Sequence, residues 1–249
     1  WSSDVCSSDL GATGSVALAG TANSIASLAS FAVASGDFAL KDAASLSIVG
    51  PVGAKNIAIS APTIVSSGSV VATTSATLSA GAGGIALNSG AVLSGVTVDL
   101  SATGNGVAQA TDATLVATTL LSGSGIGGTV NLVGTANTVA ILGTVAVTSG
   151  DLTLFDAKGL QVQGSVSAGN IQLTAVTIAD TGSIVGSGLT KLIATAGGVS
   201  IAAGALLSGA TVGVSTTGVA TSGSGFKENA AGTIRSEEHT SELQSRLHL

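Results

Sequence analysis

The sequence predicts an all-β fold, a parallel β-helix in which the chain winds into stacked coils. Three observations support this: a long internal repeat, short segments of alternating apolar and polar residues at even spacing, and glycine-rich turns between those segments. Self-similarity of this kind indicates units that stack on their neighbours. No capping box precedes a helical apolar period, so helices are not expected. An up-and-down barrel or a set of sandwiches is the alternative fold, but those usually carry more aromatic residues and more charged loops.

The repeat aligns residues 14–104 with 128–218 without a gap, at an offset of 114 residues. Roughly half of the aligned positions are identical, and most others exchange Ile for Val, Ala for Thr or Leu for Phe. We call residues that lie 114 positions apart sister residues. The repeat predicts two continuous β-helix units, unit 1 over 11–127 and unit 2 over 128–234.

Alternation with β-branched residues is typical of strands, and it recurs through both units. The main segments lie mostly 19–22 residues apart, with one or two further short strands between them. Three short strands per 19–22 residues describe one coil, so a unit is expected to hold about six coils and the repeat region about eleven. Stacked strands are about 4.8 Å apart, so the rod is on the order of 50 Å long. The main segments begin near positions 15, 37, 56, 76, 96, 129, 151, 170, 190 and 210, and further short strands begin near 46, 63, 160 and 177.

The apolar positions of the main segments are expected to face inward. They are Val16, Leu18, Phe38, Leu40, Ile57, Ile59, Leu78, Val98, Leu100, Val130, Leu132, Leu152, Leu154, Ile171, Leu173, Leu192, Val212 and Val214.

Glycine beside Ser, Asn or Asp separates the strands, and glycine supplies the positive φ that tight corners need. The clusters are SGD at 35 and 149, AGN at 168, GAGG at 81 and GSGIGG at 123. Pro51 and Pro62 have no proline at their sister positions. Since proline removes a ladder donor, both are expected at corners.

Composition excludes several classes of function. Only 8% of the residues are charged, where about 25% is usual. The formal net charge of −6 and the absence of a basic stripe argue against a nucleic-acid partner. No run of 18 apolar residues occurs, so no membrane-spanning helix is expected.

The two ends differ abruptly from the rest of the chain. A DNA sequence that encodes WSSDVCSSDL, residues 1–10, encodes RSEEHTSEL on its complementary strand, and RSEEHTSEL opens residues 235–249. That DNA resembles a common sequencing-library adapter. We interpret both ends as translated adapter around a fragment of a longer gene, and exclude them from fold reasoning. The alternative is a natural acidic C-terminal helix. Without the ends, 11–234 contains no Cys, His, Trp or Arg.

Two pairs of carboxylates are candidate catalytic groups, because a pair of acids can cleave a glycoside. Asp37 with Asp42 recurs as Asp151 with Asp156. Each Asp lies beside a turn or a strand end, so we expect turn capping, with sugar or calcium contact as the alternative. Ser224 and Lys227 form a Ser-x-x-Lys pattern, which chance accounts for in a chain so rich in Ser.

The remaining motifs predict no site. The glycine clusters GAGG and GSGIGG lack the strand and helix context of a dinucleotide site and no GKS or GKT follows them, so they are expected to be corners. Calcium-binding GGxGxDxUx nonapeptides are missing. The Thr residues of ATTSATLSA do not repeat in register, which argues against ice binding. We therefore predict no catalytic, cofactor-binding or metal-binding residue, no cofactor and no enzymatic activity.

The segment SGDLTLFDAKGLQVQGSVSAGNIQLTA, residues 149–175, and its sister at 35–61 share one pattern: Gly, then Asn or Asp, then alternating Leu or Ile with Ser or Thr, then Ala and Gly. Over 11–234 the pattern resembles the passenger region of filamentous-haemagglutinin-like exoproteins and related autotransporter adhesins of Gram-negative bacteria. The resemblance implies a right-handed parallel β-helix, export across two membranes, and a role in surface display or adhesion.

These inferences favour a structural function. We expect a shaft fragment of a large adhesin or exoprotein, secreted or on the outer surface, with host-cell or surface glycans or proteins as partners and secretion machinery outside the fragment. A passenger with its own downstream barrel would differ only in secretion route. The alternative function is a polysaccharide-active β-helix lyase or hydrolase. Since solenoid ends expose strand edges, residues 11–234 expressed alone are expected to aggregate or associate end to end.

Overall fold

The computed structural model describes residues 14–217, 225–228 and 232–236. In these residues the chain is an all-β parallel solenoid of about ten coils, and no helix occurs in this part of the chain. The predicted fold class is therefore confirmed.

The described residues form 25 strands that belong to one hydrogen-bonded sheet system. In chain order they are β1 (Val16–Leu18), β2 (Ser27–Leu28), β3 (Phe31–Ala32), β4 (Phe38–Lys41), β5 (Leu46–Ile48), β6 (Val52–Ser66), β7 (Ser69–Leu87), β8 (Val92–Ala102), β9 (Val107–Gln109), β10 (Thr114–Ile126), β11 (Val130–Leu132), β12 (Thr138–Val139), β13 (Ile141–Val147), β14 (Leu152–Phe155), β15 (Gly159–Val162), β16 (Ser165–Ala168), β17 (Ile171–Ala175), β18 (Thr177–Asp180), β19 (Ser183–Gly186), β20 (Leu189–Ala194), β21 (Gly198–Ile201), β22 (Leu206–Gly209), β23 (Thr211–Thr216), β24 (Gly225–Glu228) and β25 (Thr233–Ser236).

Each strand pairs in parallel with the strand one coil away. Residues paired between strands of neighbouring coils lie from 18 to 27 positions apart, a wider range than the predicted coil of 19–22 residues. About ten coils are present where about eleven were expected. We call a line of stacked residues a row. One row consists of Val16, Phe38, Ile57, Ala76, Val98, Leu121, Leu142, Val162, Asp180, Ile201 and Glu228.

The core is a single apolar cluster that runs through the coils. Most of the predicted inward residues are buried in it, Phe38 and Leu173 among them. Leu18 is not buried, because its side chain is 38% exposed. It belongs to β1, which pairs only with β4 in the described part of the chain and so has a core neighbour on one side. Val16, Val212 and Val214 are only partly buried and pack against the edge of the cluster, for the same reason at both ends of the stack.

Glycine serves the corners in two ways, of which only one was predicted. Gly84 and Gly125, in the GAGG and GSGIGG clusters, have φ of 77° and 62°. Gly36 and Gly150, in the two SGD turns, do not have positive φ. They are needed because coils approach closely: a Cβ on Gly150 would lie 2.6 Å from the backbone N of Thr129.

Both prolines lie at corners, as predicted. Pro51 directly precedes β6, and its carbonyl accepts the N–H of Phe31 at 2.8 Å. Pro62 lies where the register between β6 and β7 shifts, between Ala61 and Thr63. A missing ladder donor is harmless at such a break.

Sister strands do not lie on the same face of the solenoid. Val16 begins the row that continues through Leu121 to Leu142. Its sister Val130 stacks instead between Val107 and Leu152, in a different row. An offset of 114 residues therefore spans five coils and part of another, where about six were expected, and the second copy of each strand is displaced around the solenoid axis.

The predicted end segments lie almost entirely outside the described residues. This holds for 1–10 and for 237–249. Arg235 and Ser236 form the end of β25 and pair with Ser208 and Gly209.

Candidate functional site

Asp42 and its sister Asp156 are buried caps at corners of the solenoid. Both oxygens of Asp42 accept the N–H of Ile25, at 3.2 and 3.1 Å, and Oδ1 also accepts the N–H of Ala44 at 3.1 Å. Asp156 accepts the N–H of Val139, the sister of Ile25, at 3.0 Å. The predicted turn-capping role is confirmed for both.

Asp37 and its sister Asp151 lie at exposed corners and bind the next coil. Oδ1 of Asp37 accepts Nδ2 of Asn56 at 2.7 Å. Oδ1 of Asp151 accepts Nδ2 of Asn170 at 2.9 Å and its backbone N–H at 2.8 Å. These side chains continue the backbone ladder around a corner.

The structure does not bring the two members of each acidic pair together. Asp37 precedes β4 and Asp42 follows it, so the pair brackets one extended strand. Five steps of about 3.3 Å place their Cα atoms roughly 16 Å apart. In a glycosidase, the carboxyl groups of the two catalytic acids lie about 5–9.5 Å apart. Asp42 is also 5% exposed, with its oxygens bonded to backbone amides. This arrangement fits coil stacking and does not fit the paired-acid geometry.

Other aspartates also accept hydrogen bonds from a neighbouring coil. Asp99 accepts the hydroxyl of Ser122 at 2.6 Å, and Asp112 accepts that of Ser89, each across one coil step. Every Asp in the described residues accepts a hydrogen bond, and all except Asp180 accept one from a neighbouring coil.

Asp180 is the exception, and sequence reasoning missed it. Its side chain is fully buried, in the row between Val162 and Ile201. Oδ1 accepts the N–H of Gly182 at 3.0 Å, and Oδ2 has no hydrogen-bond partner. Burial raises the pKa of Asp180 to about 6, against a smaller lowering by the Gly182 bond. The available signal was the sister residue Ser66, because an uncharged residue at the same place in the pattern indicates that this position does not need a carboxylate.

A second buried polar group, also missed, joins Gln109 to Asn137. Nε2 of Gln109 donates to Oδ1 of Asn137 at 2.7 Å and to the Ala113 carbonyl at 3.0 Å. Oε1 of Gln109 accepts Nδ2 of Asn137 at 2.9 Å and the Gly134 N–H at 3.0 Å. Oδ1 of Asn137 also accepts the Leu115 N–H at 2.8 Å. The available signal was the identical GTAN at 20–23 and 134–137.

One open groove of about 520 Å³ lies over a corner of the first coils. Its floor is Gly53–Lys55, and its walls are the longer corners 32–35 and 71–74. Its lining combines small apolar side chains with Ser and Thr residues and one ammonium group, that of Lys55. The sister of Lys55 is Gly169, so the copy of this corner in unit 2 lacks the cation.

The remaining candidates are not assembled into a site. Ser224 lies outside the described residues, and Lys227 is exposed in β24. In the residues that the structure describes, no group of three His, Cys, Asp or Glu side chains could hold a metal ion. The outward row through Ala39, Ala58, Thr77 and Asp99 contains one Thr.

Comparison with known proteins gives no relative. No protein family, no curated protein and no solved structure matches the chain. A search of the described residues for a helix long and apolar enough to cross a membrane also finds none.

Proposed function

We propose that the chain is a structural shaft segment of a large secreted or cell-surface bacterial adhesin or exoprotein, without catalytic activity. The observation that supports this most is the use of the carboxylates. Six of the seven Asp residues in the described part accept hydrogen bonds from a neighbouring coil, so the main acidic groups of the chain hold the stack together.

The physical logic is that of a one-dimensional stack. Each coil is a template for the next, so length is gained by duplication and contacts stay local. The rows supply apolar contacts inside, and small Ser, Thr and Ala side chains cover the outside with few charges. The proposed partners are host-cell or surface glycans or proteins, bound along the rod or outside this segment, and secretion machinery outside it. Right-handed winding belongs to the same proposal.

Long-read sequencing of the gene through both ends tests the proposal first. We expect residues 1–10 and 235–249 to be replaced by further repeats that continue into a secretion signal and a secretion domain. Antibodies against residues 14–217 should then label intact cells. If the end residues persist in genomic DNA, Cys6 and His239 become candidates for chemistry. Labelling only after the cells are broken would overturn the proposed location.

A polysaccharide-active enzyme is the second candidate, and the groove over Lys55 is the observation that favours it. A single ammonium group beside hydroxyls could contact an acidic sugar. The test is incubation of the purified chain with acidic polysaccharides, followed by absorbance of unsaturated uronate and assay of new reducing ends. We expect neither product. Product formation that Lys55→Ala abolishes would replace the shaft with the enzyme.

A further inference from the structure

The start of unit 2 docks on the end of unit 1 through a specific interface. Val130 stacks on Val107, and Leu142 stacks on Leu121. Gly123 and Ile126 pair with Val145 and Val147. At the centre, Gln109 makes its hydrogen bonds to Gly134 and Asn137. Residues 107–126 thus form one side of this interface and residues 130–147 the other.

The sister segment 16–33 retains the docking groups of 130–147. The inward residues Val16, Leu18, Ile25, Leu28, Phe31 and Val33 correspond to Val130, Leu132, Val139, Leu142, Val145 and Val147. The polar GTAN motif is identical in both. What differs is the cover: Leu18 is 38% exposed, whereas Leu132, beneath the coil of Gln109, is 2% exposed.

Asn23 shares one contact within its own corner with Asn137, and its Nδ2 also donates to the Lys41 carbonyl at 2.9 Å. Nδ2 of Asn23 donates to the Leu18 carbonyl at 2.9 Å, as Nδ2 of Asn137 does to the Leu132 carbonyl at 3.5 Å. The Oδ1 of Asn137 accepts two hydrogen bonds from unit 1. Within the described part of the chain, the Oδ1 of Asn23 accepts none, although the rest of its corner is in place.

We propose that residues 16–33 form a docking surface for a coil with the chemistry of residues 107–126, that is, for the end of another copy of unit 1 placed ahead of it. A Gln at the position of 109 would donate to Oδ1 of Asn23 and accept the N–H of Gly20. The apolar rows of the added coil would cover Leu18. The junction inside this chain is then one instance of a reusable joint. This inference concerns assembly and holds whether or not the chain is an adhesin shaft.

The test lengthens the full chain by one unit. Residues 14–127 are inserted a second time, so that residues 1–127 are followed by 14–249. Five coils and part of another, at about 4.8 Å each, should lengthen the rod by roughly 26 Å. Small-angle scattering measures this as an increase in the maximum dimension, with the cross-section unchanged. A distance distribution of two separate bodies would overturn the proposal. So would an unchanged maximum dimension.

A matched pair of variants tests the Gln contact itself. Gln109→Ala in the first copy should lower the urea midpoint of the lengthened chain. Its scattering profile should then be that of two separate bodies. Gln172→Ala, at an exposed position of β17, should change neither. If both variants behave alike, the amide joint does not hold the added unit.

Discussion

At the scale of single residues, two buried carboxylates of this chain are used differently. Asp156 and Asp180 are 1% and 0% exposed, and burial raises the pKa of both. Asp156 accepts the Val139 N–H from a neighbouring coil, whereas Asp180 accepts only the Gly182 N–H of its own corner. Removing the side chain should therefore have opposite effects at the two positions.

Asp180→Ser should stabilise the chain at neutral pH. Ser66, the sister residue, is buried and donates to the Gly68 carbonyl at 3.1 Å, so a serine fits this corner. The pKa of Asp180 is about 6 in the folded chain, whereas an unfolded Asp has a pKa of about 3.9. This difference in pKa corresponds to roughly 3 kcal/mol at pH 7. Urea unfolding should show that gain.

The pH dependence gives the control for this prediction. Because the folded pKa is raised, the unfolded state loses its proton first, and stability falls as pH rises from about 4 to about 6. Urea midpoints of the parent chain should therefore decline over this window. Those of Asp180→Ser should decline less, and the two chains should converge below about pH 4. Equal slopes for both chains would show that Asp180 does not titrate in this range.

Asp156→Ala should destabilise the chain, because it leaves the Val139 N–H without its acceptor. An unsatisfied buried amide costs about 1–3 kcal/mol. Asp156→Asn keeps an acceptor and removes the charge that burial disfavours, so its urea midpoint at pH 7 should equal or exceed that of the parent. The cap interpretation is wrong if the alanine variant is the more stable of the two.

The roles of these residues were not equally predictable from the sequence. Asp42 and Asp156 could be assigned to corners because the repeat carries both to equivalent positions. Asp180 replaces a serine, and nothing local distinguishes a buried aspartate from an exposed one in a Thr-Ile-Ala-Asp-Thr-Gly segment. Gln109 could not be paired with Asn137 because their contact spans 28 residues and depends on the stacking register.

At the scale of elements, the strands were predictable and the close approach of corners was not. The alternation of apolar and polar residues predicts each strand without reference to the others, since inward and outward residues follow a period of two. Contact between two corners depends on which coils become neighbours. Gly36 and Gly150 were therefore correctly placed in turns, but the reason for glycine is the backbone of the adjacent coil.

Gly150→Ala should destabilise the stack, because its Cβ would lie 2.6 Å from the Thr129 N and 2.8 Å from the Gly128 carbonyl carbon. Backbone atoms cannot move aside as a flexible side chain can, and overpacking costs about 1–3 kcal/mol. Gly53→Ala is the matched control, because its nearest atom would be the Val71 carbonyl oxygen at 4.0 Å. Thermal unfolding should show a lower midpoint for the first variant and an equal or slightly higher one for the second.

At the scale of the whole molecule, the length of the repeat determines how the sister surfaces are oriented. Val130 falls between Leu121 and Leu142 of the Val16 row, so the second copy begins partway around a coil. The corner of Asp37 and Asn56 and that of Asp151 and Asn170 consequently face different directions around the rod. A ligand that binds one such corner would meet its copies at changing angles along the shaft. No local sequence pattern reveals this, because it depends on summed coil lengths.

The first three strands of the described residues lead to the last prediction. Within the described residues, β1, β2 and β3 each pair with a strand on one side only, and β1 carries the exposed Leu18. An unpaired edge beside exposed apolar surface is a template for another chain. Residues 11–234 expressed alone should therefore associate end to end, with a sedimentation coefficient that rises with concentration.

Two lysine variants locate the contact. Leu18→Lys places a charge at the edge of β1 and should weaken the association, whereas Ala39→Lys, on the outer face of β4, should not. A clean monomer at high concentration would contradict exposed, pairing-competent edges, and equal association of both lysine variants would place the contact elsewhere.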